Sequence, residues 1–295
     1  MLISDNNNRK GFLLGFAGFF ALSVTDTTNR FTLSNDLIAF PTYFACVQIM
    51  ILILLAAFGT LRYKSTFFKV NDKKMVFCRS FILSLNILCG MLAVSYLSLD
   101  LFYSIVFTMP LLATVLGAIF LKEKIRPLQI ISLVLGLIGI LIIIQPSISA
   151  GDRLLGLILA LLTAFTGVSA ALITRKYLQK ENSLTSTFYA FLLSAILGIG
   201  MFFTLSPGFA LLSPNPSSLL LIILSSIATL IGATLYMKAY QVGKVSYVAP
   251  SQYTQLIWGI CFGYLLFSDS VAAKTLIGAA IIIFACLLNL YKNKS

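Results

Sequence analysis

The sequence predicts an all-α integral membrane protein, with ten transmembrane helices arranged as two inverted five-helix repeats. Three observations lead there. The chain is 59% hydrophobic and only 10% charged, where soluble domains carry about 25% charged residues. Apolar runs long enough to cross a bilayer, about 20 residues each, follow one another with short polar breaks, leaving no room for a large soluble domain. Finally, residues 93–140 align without a gap on residues 239–286 at a shift of 146, placing Ala93 on Ala239, Thr108 on Thr254, Gly117 on Gly263, Glu123 on Asp269 and Ile131 on Ile277. Near a shift of 145, Arg30 meets Arg175, each at the C-terminal end of the first helix of its half. The repeats are read as 1–148 and 149–295. An odd number of helices in each half forces opposite orientations, an architecture that points to a transporter with its site near the midplane between the halves.

The elements follow in order. After a short polar, basic start at Asn6 to Lys10, helices are expected at about 11–32, 37–61, 75–97, 100–121 and 127–145, then at 154–177, 184–205, 217–239, 245–267 and 272–290. The basic residues set the orientation. Of 21 Lys and Arg, all but Arg30, Arg153 and Lys274 fall on the side of the N-terminus, which the positive-inside rule assigns to the cytoplasm together with both chain ends. The net charge of +12 is therefore a topology signal spread over short loops and helix ends, not a nucleic-acid patch. The first apolar run ends in polar residues and lacks a small-residue cleavage site, so it reads as a retained helix. The five cysteines, Cys46, Cys78, Cys89, Cys261 and Cys286, all lie in apolar runs and read as buried packing residues.

Several classes of chemistry are argued against. There is no histidine and there are only nine acidic residues, which disfavours a membrane enzyme needing a convergent acid/base or metal cluster. No P-loop or nucleotide fingerprint occurs, so ATP-driven pumping by this chain is not expected. The expectation is a secondary transporter without cofactor or metal. Its partners are a small-molecule solute and the lipid bilayer, with monomer and homodimer both open. A non-transporting assembly subunit is the rival from another class.

Candidate site residues come from polar faces at helical spacing. In the first helix Ser23, Asp26, Thr27 and Arg30 stand at i, i+3, i+4 and i+7, on one face. A carboxylate inside a membrane helix costs roughly 2.5–3.5 kcal/mol and needs a partner or a water-filled cavity. Asp26 and Arg30 are either a functional pair on the solute path or a neutralised pair that positions the outer mouth. In the ninth helix Ser251, Gln252, Gln255 and Trp258 share a broad face with Tyr247 a turn before. That face suits a flat or amphipathic solute held by stacking and hydrogen bonds, or interhelical hydrogen bonding alone. The third helix offers Arg79 and Asn86 at i and i+7. Arg79 can snorkel, bind an anionic group or close a cytoplasmic gate, and Asn86, deeper, suits the cavity wall. The fourth helix offers Asp100, Tyr103 and Thr108, with Asp100 at the outer boundary where a helix N-terminus favours an acid. The sixth and eighth offer Thr166, Ser169, Arg175, Tyr236 and Tyr240, Arg175 serving as inner-face anchor, gate or ligand contact. The glycine pairs Gly11/Gly15 and Gly259/Gly263 read as close-packing motifs.

Two segments resemble each other and a known family. LKEKIRPLQIISLVLGLIGILII (121–143) resembles the end of an EamA-type half, in which a short acidic turn leads into a glycine-spaced last helix. LFSDSVAAKTLIGAAIIIFACLL (266–288) resembles it again, and Ala239 to Gly243 followed by Pro250 resembles the family's entry into its ninth helix. Here Asp269 stands where the family usually has Glu, after a Phe–Ser, a departure that weakens a functional role for this turn. The resemblance implies the EamA branch of the drug/metabolite transporter superfamily, in the bacterial inner membrane, with a central cavity lined mainly by helices one, three, four, six, eight and nine. DTTNRF (26–31) is similar to the D-xxx-K/R-aromatic pattern of EamA permeases assigned to S-adenosylmethionine uptake. That names a candidate cargo, with export of amino acids, related metabolites or drugs as the alternative.

Overall fold

In hydrocarbon a chain must satisfy its own backbone, and the helix does so within one segment. The computed structural model describes residues 5–34, 40–94, 96–97, 99–145, 154–205, 216–268 and 272–290, and no strand occurs among them. In the first half lie α1 (Asp5–Ser34), α2 (Phe40–Tyr63), α3 (Lys73–Val94), α4 (Leu99–Val106), α5 (Met109–Leu121) and α6 (Pro127–Ile144). In the second lie α7 (Leu154–Tyr177), α8 (Ser183–Leu205), α9 (Pro216–Val242), α10 (Val245–Val248), α11 (Tyr253–Phe267) and α12 (Ala273–Leu290). Short 3-10 turns occupy Lys64–Phe68 and Ala249–Gln252. Seven helical segments among the described residues are long and apolar enough to cross a membrane, and Ala273–Asn289 is a shorter apolar helix. Asp269, Arg153 and the expected boundary between residues 148 and 149 lie outside the described residues, as does the side chain of Asp100.

Most expected boundaries hold within a few residues, and 154–177 coincides with α7. The first helix begins earlier than expected, at Asp5. Two elements differ in kind. The run 100–121, expected as one helix, is α4 and α5 with a break before Met109, and the run 245–267 is α10, a 3-10 turn and α11. Proline accounts for both breaks. Pro110 sits in the first turn of α5 and Pro250 inside the 3-10 turn, and each removes an N–H and crowds the carbonyl four residues back. Carbonyls freed at the second break find donors on α12: Asn289 Nδ2 donates to Tyr247 O at 3.0 Å and the Cys286 thiol to Pro250 O at 3.7 Å.

The two halves also share a local signature. α5 ends on Lys122 with φ 53° and its capping N–H returned to Gly117 O, and α11 ends on Ser268 with φ 56° and its N–H returned to Gly263 O. Both pairs stand at the 146-residue shift read from the sequence. A left-handed non-glycine residue is uncommon, so its recurrence at equivalent places is a more specific match than apolar identities.

Packing rests on small residues. A Cβ on Gly11 would come within 2.7 Å of Gly243 Cα, and one on Gly18 within 3.2 Å of Gly232 O, so α1 lies directly on the α9 backbone and the turn that follows it. α6 and α12 meet in the same way, Gly139 facing Gly278 O at 2.8 Å. The expected pair Gly259/Gly263 splits: Gly263 is buried, whereas Gly259 faces open space with nothing within 4 Å. The cysteines likewise depart from uniform burial. Cys89 and Cys286 are buried, Cys46 and Cys78 half-buried, and Cys261 exposed, all as free thiols.

These contacts predict that Gly11→Val lowers stability by about 1–3 kcal/mol through overpacking. Gly259→Val should change it by no more than about 0.5 kcal/mol. Thermal unfolding of the two purified variants in detergent checks the contrast, and equal losses would contradict it.

Candidate functional site

A cavity of about 500 Å³ lies inside the bundle, lined by residues of α1, α2, α3, α4, α5, α7, α8 and α9 and of the 3-10 turn before α11. Both helix breaks adjoin it, through Val106 and Met109 at the first and Gln252 at the second. α1 gives it the face Phe19, Leu22, Thr25 and Asn29. α2 and α8 also contribute walls, through Tyr43 and Gln48 and through Thr187, Phe191 and Ser194, beyond the helices the family resemblance implies.

At one end Tyr43 OH donates to Asn29 Oδ1 at 2.8 Å and Ser225 Oγ to the same oxygen at 3.3 Å. Thr25 and Thr229 hydroxyls share a hydrogen bond of 3.0 Å. These bonds tie α1, α2 and α9 together. In the middle Asn86 Nδ2 donates to Thr163 O at 2.6 Å and to Thr166 Oγ1 at 3.1 Å, joining α3 to α7 while the residue still lines the cavity. Gln252 Nε2 faces Met109 Sδ at 3.7 Å. At the other end stands Arg79, 3% exposed. Its Nε donates to Thr174 Oγ1 at 2.7 Å, and its Nη1 is buried with no hydrogen-bond partner. Tyr236 lies within reach of the Arg79 charge and packs edge-on against Tyr240, ring centres 4.9 Å apart.

Of the residues singled out from the sequence, the structure brings Arg79, Asn86, Tyr236 and Gln252 to this cavity. Tyr240 and Ser251 are buried in the packing beside it, Tyr240 in a core cluster with Ala113, Val168 and Val245, and Ser251 against Gly15. A different group follows the seam between α1 and α11. Gln255 Nε2 donates to Asp26 Oδ2 at 2.7 Å and Ser23 Oγ to Gln255 O at 3.0 Å. The Arg30 guanidinium lies 4.3 Å from the centre of the Phe267 ring, and Trp258 packs edge-on between Phe16 and Phe20. Tyr103 of α4, beside Phe107, is within reach of the Asp26 charge. The face of α1 expected from its spacing therefore exists and rests on α11. Of the face expected from Ser251 to Trp258, Ser251, Gln255 and Trp258 all meet α1, and Gln252, at the end of the 3-10 turn, departs from it. Gln252 turns to the cavity, and Gln255 and Trp258 turn to the seam.

Sequence reasoning missed the adjacent, cavity-lining face of α1, Gln48 and the partner of Arg175. Gln48 had a signal, as a lone amide within the apolar α2. The partner of Arg175 is Glu123, in the turn between α5 and α6, at 3.3 Å with both side chains buried. Glu123 Oε2 also accepts the Val245 N–H at 3.0 Å, while Arg175 Nη1 donates to Gln241 O at 3.0 Å. Burial pushes the Glu123 carboxyl above its usual range, and the Arg175 charge opposes that shift. This knot links the two halves at the end of the bundle that holds the start of α1, where Asn8 Oδ1 accepts the Lys244 N–H at 3.1 Å.

The EamA-like transporter family profile matches the chain twice, over residues 9–145 and 154–291. The chain belongs to the EamA-like transporter family. It is a multi-pass membrane protein of the drug/metabolite transporter type, and relatives in bacteria are similar over much of its length. An uncharacterized transporter of Helicobacter pylori strain J99 is 28% identical over 83% of this chain and 82% of that protein. The S-adenosylmethionine uptake transporter of Rickettsia bellii is 29% identical over 64% of this chain and 62% of that protein. The riboflavin transporter of Vibrio cholerae is 28% identical over 62% of this chain and 59% of that protein. A solved crystal structure, 15% identical, matches the fold with a TM-score of 0.79 over 95% of this chain and 96% of the other. In this EamA-like chain the cavity lies where segments of both matched regions converge.

Replacing Glu123 alone by Gln leaves the Arg175 guanidinium buried without its counter-charge, which should cost about 3–5 kcal/mol. Removing both charges, as Glu123→Gln with Arg175→Met, should recover much of that loss. A double-mutant cycle on thermal unfolding checks it, and additive losses would refute the coupling.

Proposed function

We propose that this chain is a secondary transporter, a permease that moves a small metabolite across the bacterial inner membrane by alternating access. In this reading ten spans form two inverted repeats, 1–148 and 149–295, with both termini in the cytoplasm. α4 with α5, and α10 with the 3-10 turn and α11, each count as one interrupted span. The observation that carries it is the cavity shared by both halves and bordered by both helix breaks. Broken helices at a repeat interface are where transporters bind solutes, because irregular backbone is tolerated at membrane depth only beside protein or an aqueous cavity.

Arg79, Asn86, Tyr236 and Gln252 are then solute-facing. The Glu123–Arg175 knot closes the cytoplasmic end of the interface, and its rupture accompanies opening to that side. Asp26, Arg30, Tyr103, Gln255 and Trp258 form the α1–α11 seam, a sliding surface with one carboxylate available for proton coupling. Tyr240 and Ser251 hold the cavity wall from behind. S-adenosylmethionine is the candidate cargo, supported by the resemblance of residues 26–31 and by similarity to the Rickettsia uptake transporters. A flavin-like solute is the second reading, favoured by the Vibrio relative and by the aromatic residues Phe19, Tyr43, Phe44 and Phe191 around the cavity.

Uptake of labelled S-adenosylmethionine into cells expressing the protein tests the cargo. Saturable uptake that unlabelled compound competes away is expected. Absence of uptake beside confirmed membrane expression would remove this cargo and leave riboflavin next. For Asp26→Asn the expected outcome is loss of concentrative uptake with exchange retained. Undiminished pH-driven accumulation in that variant would take Asp26 out of coupling.

A further inference from the structure

The cavity holds two polar atoms that the protein itself leaves unanswered. Arg79 Nη1 and Gln48 Oε1 are both buried without a hydrogen-bond partner, and both residues line the same space. The first is a charged donor and the second an acceptor. Buried groups of either kind are normally satisfied, and an unpaired buried guanidinium is the more costly of the two. No Asp or Glu is among the described residues lining the cavity, and among the described residues Arg79 meets the neutral groups of Thr174 and Tyr236. The guanidinium is therefore held in place by its Nε bond with its other edge uncompensated.

The two atoms lie far apart along the bundle. Ser226 Oγ of α9 donates to the Val47 carbonyl at 3.4 Å, which sets Gln48 near the level of residue 226. Arg79 stands near Tyr236 on the same helix. Ten residues of α9 separate those levels, on the order of 15 Å at 1.5 Å per residue. Between them the walls are mostly apolar and aromatic, with Phe191, Leu83 and Ile87 among the lining residues.

We propose that Arg79 and Gln48 are the two poles of the solute site. Arg79 receives an anionic group, carboxylate or phosphate, and Gln48 Oε1 receives an N–H or O–H group at the far end of an elongated, partly aromatic solute. This rests on the transporter reading and narrows its substrate class to organic acids with a remote donor. S-adenosylmethionine fits both poles, with its carboxylate at one end and the adenine amino group at the other. Riboflavin carries no anionic group and fits only the second pole, whereas its phosphate ester fits both.

The test measures ligand-induced thermal stabilisation of the purified full-length chain in neutral detergent, without anionic lipid, so that a lipid headgroup cannot supply the anion. The probes are paired: S-adenosylmethionine with its decarboxylated counterpart, and riboflavin phosphate with riboflavin. At least one acid should stabilise the parent protein at concentrations roughly 10- to 100-fold below the partner that lacks its anionic group, the range a charge-assisted hydrogen bond confers. Arg79→Gln should erase that preference and Arg79→Lys should keep part of it. Gln48→Leu should weaken both members of a pair alike. Each variant is first checked for a monodisperse elution profile, and Gln48→Leu, which keeps the buried charge untouched, gives a second reading if Arg79→Gln misfolds. Equal binding of acid and partner, an undiminished preference in Arg79→Gln, or stabilisation by none of the four probes would overturn the two-pole site. Transport itself stands or falls separately, on whether the parent protein moves any solute in the uptake assay.

Discussion

In a bilayer no water reaches a backbone N–H or C=O left unpaired, and the whole architecture follows from that constraint. It keeps the described apolar runs helical, and it decides where a helix can be interrupted. Pro110 and Pro250 break two helices, and both breaks are turned inward, toward the cavity and toward neighbours able to answer the freed carbonyls. Asn289, fully buried on α12, does so for Tyr247 O. The same inward breaks give the cavity its irregular polar lining, so the cost of interrupting a helix is offset by the surface that binds.

Holding the two halves together needs a different kind of contact, because lipid gives no hydrophobic drive to helix association. α1 meets α9 and the turn after it through Gly18 and Gly11, close enough that backbone faces backbone, while Gly15 faces the Ser251 side chain. Such contacts are shallow and smooth, suited to movement of one half over the other. The Glu123–Arg175 knot is the opposite. It combines an ion pair with hydrogen bonds to Val245 N and Gln241 O in one buried place, which either holds entirely or breaks entirely. A smooth seam and an all-or-none latch on the same interface are what a two-state movement requires.

The sequence made the helices legible because apolar run length and basic loop residues are direct consequences of the membrane. The 146-residue correspondence was legible too, and the paired left-handed caps at Lys122 and Ser268 give it a local structural signature. What periodicity could not supply was rotation about a broken helix. A 3.6-residue wheel puts Ser251, Gln252, Gln255 and Trp258 on one broad face, and the 3-10 winding through Gln252 leaves three of them on α1 and turns Gln252 to the cavity. Nor does a wheel say which face of α1 meets the cavity. Asp26 and Arg30 attracted attention as charges, yet the cavity takes the quieter face of Thr25 and Asn29. Glu123 was visible only as an acidic turn, since the partner of a residue 52 positions away is a fact of the fold.

Charge distribution links these observations to transport. Two buried arginines point into the interior of the bundle from neighbouring helices, Arg79 on α3 and Arg175 on α7. One is neutralised by Glu123 from the other half, and the other, which faces the cavity, is bonded only through Nε to a neutral hydroxyl. A cavity that keeps an uncompensated cation when empty is stabilised by an anionic group placed against that cation, so the filled site and the empty site differ in electrostatic energy as well as in contacts. A ligand shifts a conformational equilibrium only by its differential affinity for the two states. In the proposed cycle, an anionic group bridging Arg79 on α3 to a partner on the second half, such as Tyr236 on α9, would supply such a difference at the interface between the halves.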